Sequence, residues 1–300
     1  MHNISHTQQK LKISLSFHLY VIMIYKQNIA EETRLSTNVN KRNLFCDELN
    51  AATICEYKRE LSLLRRLIKM TEKAVEEKET RDTWSYEGIC QMFANSIVSY
   101  AKMAHDNMVL GHLNAANMVL RVIIENSVFF ELIYNDEKEE LWKYYMVQSY
   151  RDSVIRGKDG ASLKDLDFWE DMCKRYEIDK AFLEKGNRKK PYIDENYGWT
   201  YKINKKNFFN FKGVCDLVDS SEYLGFELMS PYSHGTSIAT KLSSSATMDK
   251  IMSMIVTIYI ALYRLVTLYC WDVVEENFDG VTETIENIIY RYIDYQSSLE

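Results

Sequence analysis

Asn114, Asn117, Arg121 and Glu125 are separated by three, four and four residues, the spacing that puts side chains on one face of a helix. Around them the segment is hydrocarbon: Leu113, Val119, Leu120, Val122, Ile123, Ile124, Val128 and Phe129. A guanidinium or carboxylate in such surroundings needs a partner, because burying either alone costs several kcal/mol. Two partners are conceivable at this point. One is an internal Arg121–Glu125 pair that fixes helix register; the other is a polar cleft, in which Arg121 binds phosphate and Glu125 orients a second group. Arginine placed four residues before glutamate is the poorer order for an intrahelical pair, which leaves both side chains to reach elsewhere.

A second constellation is Ser230-Pro231-Tyr232-Ser233-His234-Gly235. Pro231 biases Ser230 away from helical geometry and Gly235 permits a turn, so hydroxyls and an imidazole are presented at a helix break. His234 is the chain's best general acid or base, with Ser230, Tyr232 and Ser233 as binding groups. The bland alternative is a hydrogen-bonded junction.

The third candidate is the stretch 185–206. It holds Lys185, Arg188, Lys189, Lys190, Lys202, Lys205 and Lys206 against Asp194 and Glu195, in a chain whose net charge is −6. Tyr192, Tyr197, Trp199 and Tyr201 are interleaved. Cations that track phosphates and rings that stack on bases are the ingredients of single-strand recognition, with Lys189, Lys190 and Trp199 the foremost contacts. Against this stands a solvated loop whose rings dock on the protein. His105-Asp106 is similar to the metal-binding dipeptide of HD-type phosphohydrolases. The chain has no histidine between His18 and His105 to complete that set, so no metal is expected. Walker, Gly-x-Gly-x-x-Gly and Gly-x-Ser-x-Gly motifs are also absent, and no cofactor is expected.

The elements that must carry these groups are helices. Only 10 glycines and 2 prolines occur in 300 residues, about a third of the usual share, and β-architectures need those residues at their turns. The pattern predicts an all-α, multi-helix bundle with a long N-terminal helix over 40–80 and two apolar central helices, near 112–134 and 247–276. Shorter helices follow Asp82-Thr83, Asn135-Asp136 and Ser162, another covers about 208–218, and a terminal helix begins at Thr282. Residues 1–39 form an N-terminal segment, read as a leader or an early start. In it, Ile13–Tyr25 resembles a signal-peptide core but contains His18 and no small-x-small cleavage site. From residue 40 to 300 the chain reads as a single helical domain. Ile251–Trp271 is long enough to cross a bilayer, but its central Arg264 argues for a buried helix, so no membrane partner is expected. The six cysteines show no metal spacing and read as thiols of a reducing, cytoplasmic compartment. The excess length of the N-terminal helix leaves room for a homodimer.

Leu120-Arg121-x-x-x-Glu125, the helix with Trp142 and Tyr145, and Leu228-Met229-Ser230-Pro231-Tyr232-Ser233-His234-Gly235 resemble a widespread bacterial all-helical family of unknown function, over about residues 85–275. That family is distantly similar to HEPN-type helical proteins, many of them ribonucleases of toxin–antitoxin and phage-defence systems. Those nucleases carry an arginine and a histidine four to six residues apart, a spacing found nowhere here, so Arg121 and His234 would have to meet through the fold. The resemblance implies a stress or phage-defence protein acting on RNA or a nucleotide through a metal-independent Arg121/Glu125/His234 site. No signal specific to DNA accompanies it. The competing expectation is a non-catalytic helical module that holds a partner protein or small ligand in the same polar cleft.

Overall fold

In the first helix, Leu61, Leu64, Leu67, Ile68, Ala74 and Val75 recur every three or four residues and all are buried, so one apolar stripe winds a polar segment into a helix. The same logic repeats along the chain. The computed structural model describes residues 54–78, 82–136, 138, 140–156, 163–218, 248–274 and 278–297. Among them the α-helices are α1 (Lys58–Glu77), α2 (Tyr86–Val109), α3 (Leu113–Tyr134), α4 (Leu141–Arg156), α5 (Leu163–Arg175), α6 (Lys180–Leu183), α7 (Phe211–Leu217), α8 (Met248–Leu265) and α9 (Phe278–Ser297), with no strand. The protein is all-α, as composition demands.

Helix ends follow local chemistry. Ser85 caps α2 by accepting the Gly88 N–H, so the cap is Ser85 rather than Asp82 or Thr83. Asp136 caps α4, accepting the N–H groups of Glu140 and Leu141 at 2.7 and 2.8 Å. Gly111, at φ 79°, closes α2 in a Schellman turn: its N–H reaches Met108 O and that of His112 reaches Asn107 O. Besides the α2 cap, three boundaries differ from the sequence expectation. Within the long helix expected over 40–80, the described residues pass through a 3₁₀ turn at Cys55–Tyr57 before α1 begins at Lys58. The terminal helix starts at Phe278, and Thr282 lies inside it with its hydroxyl donating back to Phe278 O and Asp279 O. The apolar helix α8 is α-helical only to Leu265 and then widens into a π-helical turn over Val266–Cys270.

The packing divides the described residues into two compact units. One consists of α1, residues 94–127, α8 and α9; in it α1 packs on α8, on α9 and on the π-turn. The 21 residues Lys250–Cys270 are apolar enough to cross a membrane, yet 67% of that window is buried in the protein, which matches the buried helix expected. Tyr259 there donates to the Glu286 carboxylate, and burial raises both Tyr259 and Tyr263 above the usual phenol range. The other unit contains the first turns of α2, the end of α3 and α4–α7. Its centre is aromatic: the Phe129 ring meets Phe93, Trp199 and Phe211 at 6.2, 5.4 and 6.3 Å, and Tyr145 meets Trp199 at 5.5 Å. Among the described residues, the chain passes from one unit to the other inside α2 and inside α3.

Candidate functional site

Helix α3 carries the Asn114–Glu125 stripe, but not as a wholly buried row. Leu113, Ala116, Leu120 and Ile123 are sealed, and Asn117 is buried with them, whereas Asn114, Arg121 and Glu125 are half-buried. Asn114, Arg121 and Glu125 are therefore less fully enclosed than the hydrocarbon around them suggests, and contact with solvent lowers the desolvation cost of the two charges. Ser127, two residues beyond Glu125 on the same helix, is buried with a hydroxyl that has no hydrogen-bond partner among the described residues. Ser230, Tyr232, Ser233 and His234 lie outside the described residues, as does the N-terminal segment.

The basic stretch is a fastened loop rather than a loose one. Gln148 of α4 is 3% exposed, and its amide donates to Ile193 O and Glu195 O while its oxygen accepts the Trp199 N–H at 2.8 Å. Arg151 pairs with Asp194 at 2.5 Å. Short 3₁₀ turns at Tyr192–Asp194 and Gly198–Thr200 take up the chain between these anchors. Farther on, Asn204 is buried and grips Phe208 at both ends, accepting its N–H and donating to its carbonyl.

This fastening sorts the charges. Arg188 lies over the Tyr192 ring and pairs with Glu195; Lys190 pairs with Glu195 at 3.0 Å; Lys202 pairs with Glu140 and Asp179 at 2.8 and 3.1 Å. Lys185, Lys189, Lys205 and Lys206 are exposed and have no acidic partner among the described residues. Two candidate contacts therefore change. Trp199 is 3% exposed in the aromatic centre and has no face left for a base, and Lys190, which stays exposed, shares the Glu195 carboxylate with Arg188. Lys189 remains free.

Lys202, Asp179 and Tyr201 form a coupled polar cluster beside the loop. The Tyr201 hydroxyl donates to Asp179 at 2.6 Å and, with Lys202, holds that carboxyl below the usual range. Burial and the Asp179 contact raise Tyr201. For Lys202 burial opposes the charge, but Glu140, Tyr144 and Asp179 outweigh it and hold the ammonium above the usual lysine value. Lys202 and Glu140 also edge a cleft of about 740 Å³, walled by Leu132, Leu141, Ile203, Leu217 and Val218.

His105 has a structural role: its ring is 3% exposed, with Nε2 3.1 Å from Leu61 O and Nδ1 3.2 Å from Asp106. Among the described residues no group of three His, Cys, Asp or Glu is placed to hold a metal ion. The five described cysteines form no disulfide; burial pushes the Cys173 thiol up to about 11 and that of Cys270 up to about 12, leaving both unreactive at neutral pH.

Gln148 and Asn204, the two side chains that shape the loop, were missed from sequence. A signal for Gln148 existed: it follows Leu141 and Tyr144 on the buried face of α4, where a polar residue must find partners. No curated protein and no solved structure matches the chain. Residues 86–250, more than half of its length and including α2–α7, match the family of unknown function DUF5677, and the chain belongs to that family.

Proposed function

We propose that this protein binds RNA along the fastened loop 185–209 and acts on the bound strand, or on a nucleotide, through Arg121, Glu125 and His234 without a metal. The observation that carries the proposal is the sorting of charge in the loop. In a chain of net charge −6, three of its seven cations, Arg188, Lys190 and Lys202, have acidic partners, and Lys185, Lys189, Lys205 and Lys206 are left exposed on a loop that Gln148 and Asn204 fasten at Ile193, Glu195, Trp199 and Phe208. A braced main chain need not be ordered when a phosphate chain docks, and the counterions displaced from the phosphates drive binding. Arg121 would stabilise phosphate charge, His234 would move the proton and Glu125 would orient one of them. The HEPN-type resemblance adds a stress or phage-defence setting in a bacterial cytoplasm.

The test is a labelled RNA mixed with wild type, with a variant carrying Lys185, Lys189, Lys205 and Lys206 all changed to Ala, and with Arg121→Ala and His234→Ala. The four-lysine variant should lose binding. Arg121→Ala and His234→Ala should bind the RNA and leave it intact while wild type shortens it. Wild type that binds RNA without cutting it would end the catalytic part of the proposal, and wild type that does not bind RNA would end the proposal in favour of a module for a partner protein or small ligand.

A further inference from the structure

We infer that the turn Asn204–Phe208 is a single-strand clamp in which Phe208 is the base-stacking ring and Lys205 and Lys206 hold the flanking phosphates. This inference rests on the RNA reading and assigns its ligand class. Phe208 is 57% exposed and makes no ring contact with any described residue, although rings pack throughout the rest of this unit. A flexible loop would fold such a ring away; this one is held out. Asn204, itself 3% exposed, binds both the N–H and the carbonyl of Phe208. Asn207 takes the left-handed conformation at φ 54°, and its N–H returns to Asn204 O at 3.0 Å, closing a tight turn around the two lysines.

From the other side, Gly213 packs directly beneath. A Cβ there would lie 2.1 Å from Phe208 O and 2.9 Å from Phe208 Cβ, so only glycine lets α7 approach this closely. Asn210 caps the Gly213 N–H at 2.8 Å and fixes the same approach. Beside Phe208, Phe209 packs on Tyr192 at 5.5 Å, so of two adjacent rings one anchors the turn and the other is left facing solvent. An exposed aromatic face on the same tight turn as two exposed cations suits an unpaired base, which every single strand offers and a duplex hides within its stack.

The experiment measures fluorescence anisotropy of a short single-stranded oligouridylate, a stable RNA hairpin duplex and polyglutamate, with wild type, Phe208→Ala, Phe208→Trp and Lys205→Ala/Lys206→Ala. Circular dichroism confirms that each variant is folded. Phe208→Ala should weaken oligouridylate binding about tenfold and leave hairpin binding unchanged, since stacking is lost and charge is kept. Phe208→Trp should restore it, and the double lysine variant should weaken both RNAs. Phe208→Ala that binds both RNAs like wild type, or loses both equally, overturns the clamp while the RNA reading survives. Phe208-dependent capture of polyglutamate overturns it in favour of an acidic protein partner. Wild type that binds neither RNA overturns both.

Discussion

Helix α1 and the loop 185–209 show two ways of fixing a chain. The helix is held by hydrocarbon: Leu61, Leu64, Leu67, Ile68 and Val75 pack against α8 and α9, and any side chain of similar volume serves. The loop is held by individual hydrogen bonds, three of them from Gln148 and two from Asn204, and no other side chain supplies the same set. The first arrangement tolerates substitution and offers no special surface. The second is brittle, and it is where exposed cations and an exposed ring are held in place.

The sharpest way to break this contrast is a pair of volume-conserving changes. Gln148→Met should cost about 3 kcal/mol in urea denaturation, because it strands the buried Trp199 N–H and the Glu195 carbonyl and leaves the Ile193 carbonyl only the 3.5 Å contact from Arg151. Leu64→Met, at a site of 0% exposure in α1, should cost only about 1 kcal/mol. Equal costs would dissolve the distinction. Gln148→Met should also expose the loop to limited proteolysis, which Leu64→Met should not.

A smaller effect of opposite sign is expected at the end of α5. Glu177 is exposed at φ 51° and closes a Schellman turn in which Ile178 N–H reaches Cys173 O and its own N–H reaches Lys174 O. Glycine adopts this conformation without the Cβ penalty, so Glu177→Gly should raise stability by about 0.5–1 kcal/mol. A loss of stability in thermal denaturation would show that the Glu177 side chain contributes more than its backbone strain costs.

The smallest effect concerns pH. The Tyr201 hydroxyl, and after it Lys202, depress the Asp179 carboxyl, so its contribution is present above the ordinary carboxylate value of about 4 and is lost as the pH falls through the folded value. The melting temperature of wild type should therefore exceed that of Asp179→Asn at neutral pH, and the gap should close in acid. A gap that persists unchanged at low pH would contradict the Tyr201–Asp179–Lys202 account.

The contrast also explains what was legible in the sequence. Periodicity placed α1 and α2 because a stripe of hydrocarbon repeats every 3.6 residues whatever its partners are, whereas long apolar runs marked α3 and α8 and the Asn135-Asp136 cap signal marked α4. Terminal boundaries were less legible: Thr282 looks like a cap, but Phe278 is buried one turn earlier and carries the apolar face back with it. The loop was recognised by its charge and its lack of period, yet which of its cations are free depends on pairings with Glu140 and Asp179, distant in sequence. Trp199 illustrates the same limit. Composition cannot tell a ring that waits for a base from one that plugs a core, and here the buried partners Phe129 and Tyr145 decide. Of the α3 stripe, the spacing was correct and the degree of burial was not, because half-burial depends on neighbours that periodicity does not name.

The salt dependence of RNA binding tests most directly whether the fastened loop presents its free cations to phosphate. For single strands each neutralised phosphate contributes about 0.7 to the slope of log K against log salt. Changing Lys185, Lys189, Lys205 and Lys206 to alanine should therefore flatten the wild-type slope by up to about 3. A slope that is the same with and without these four lysines would contradict the account.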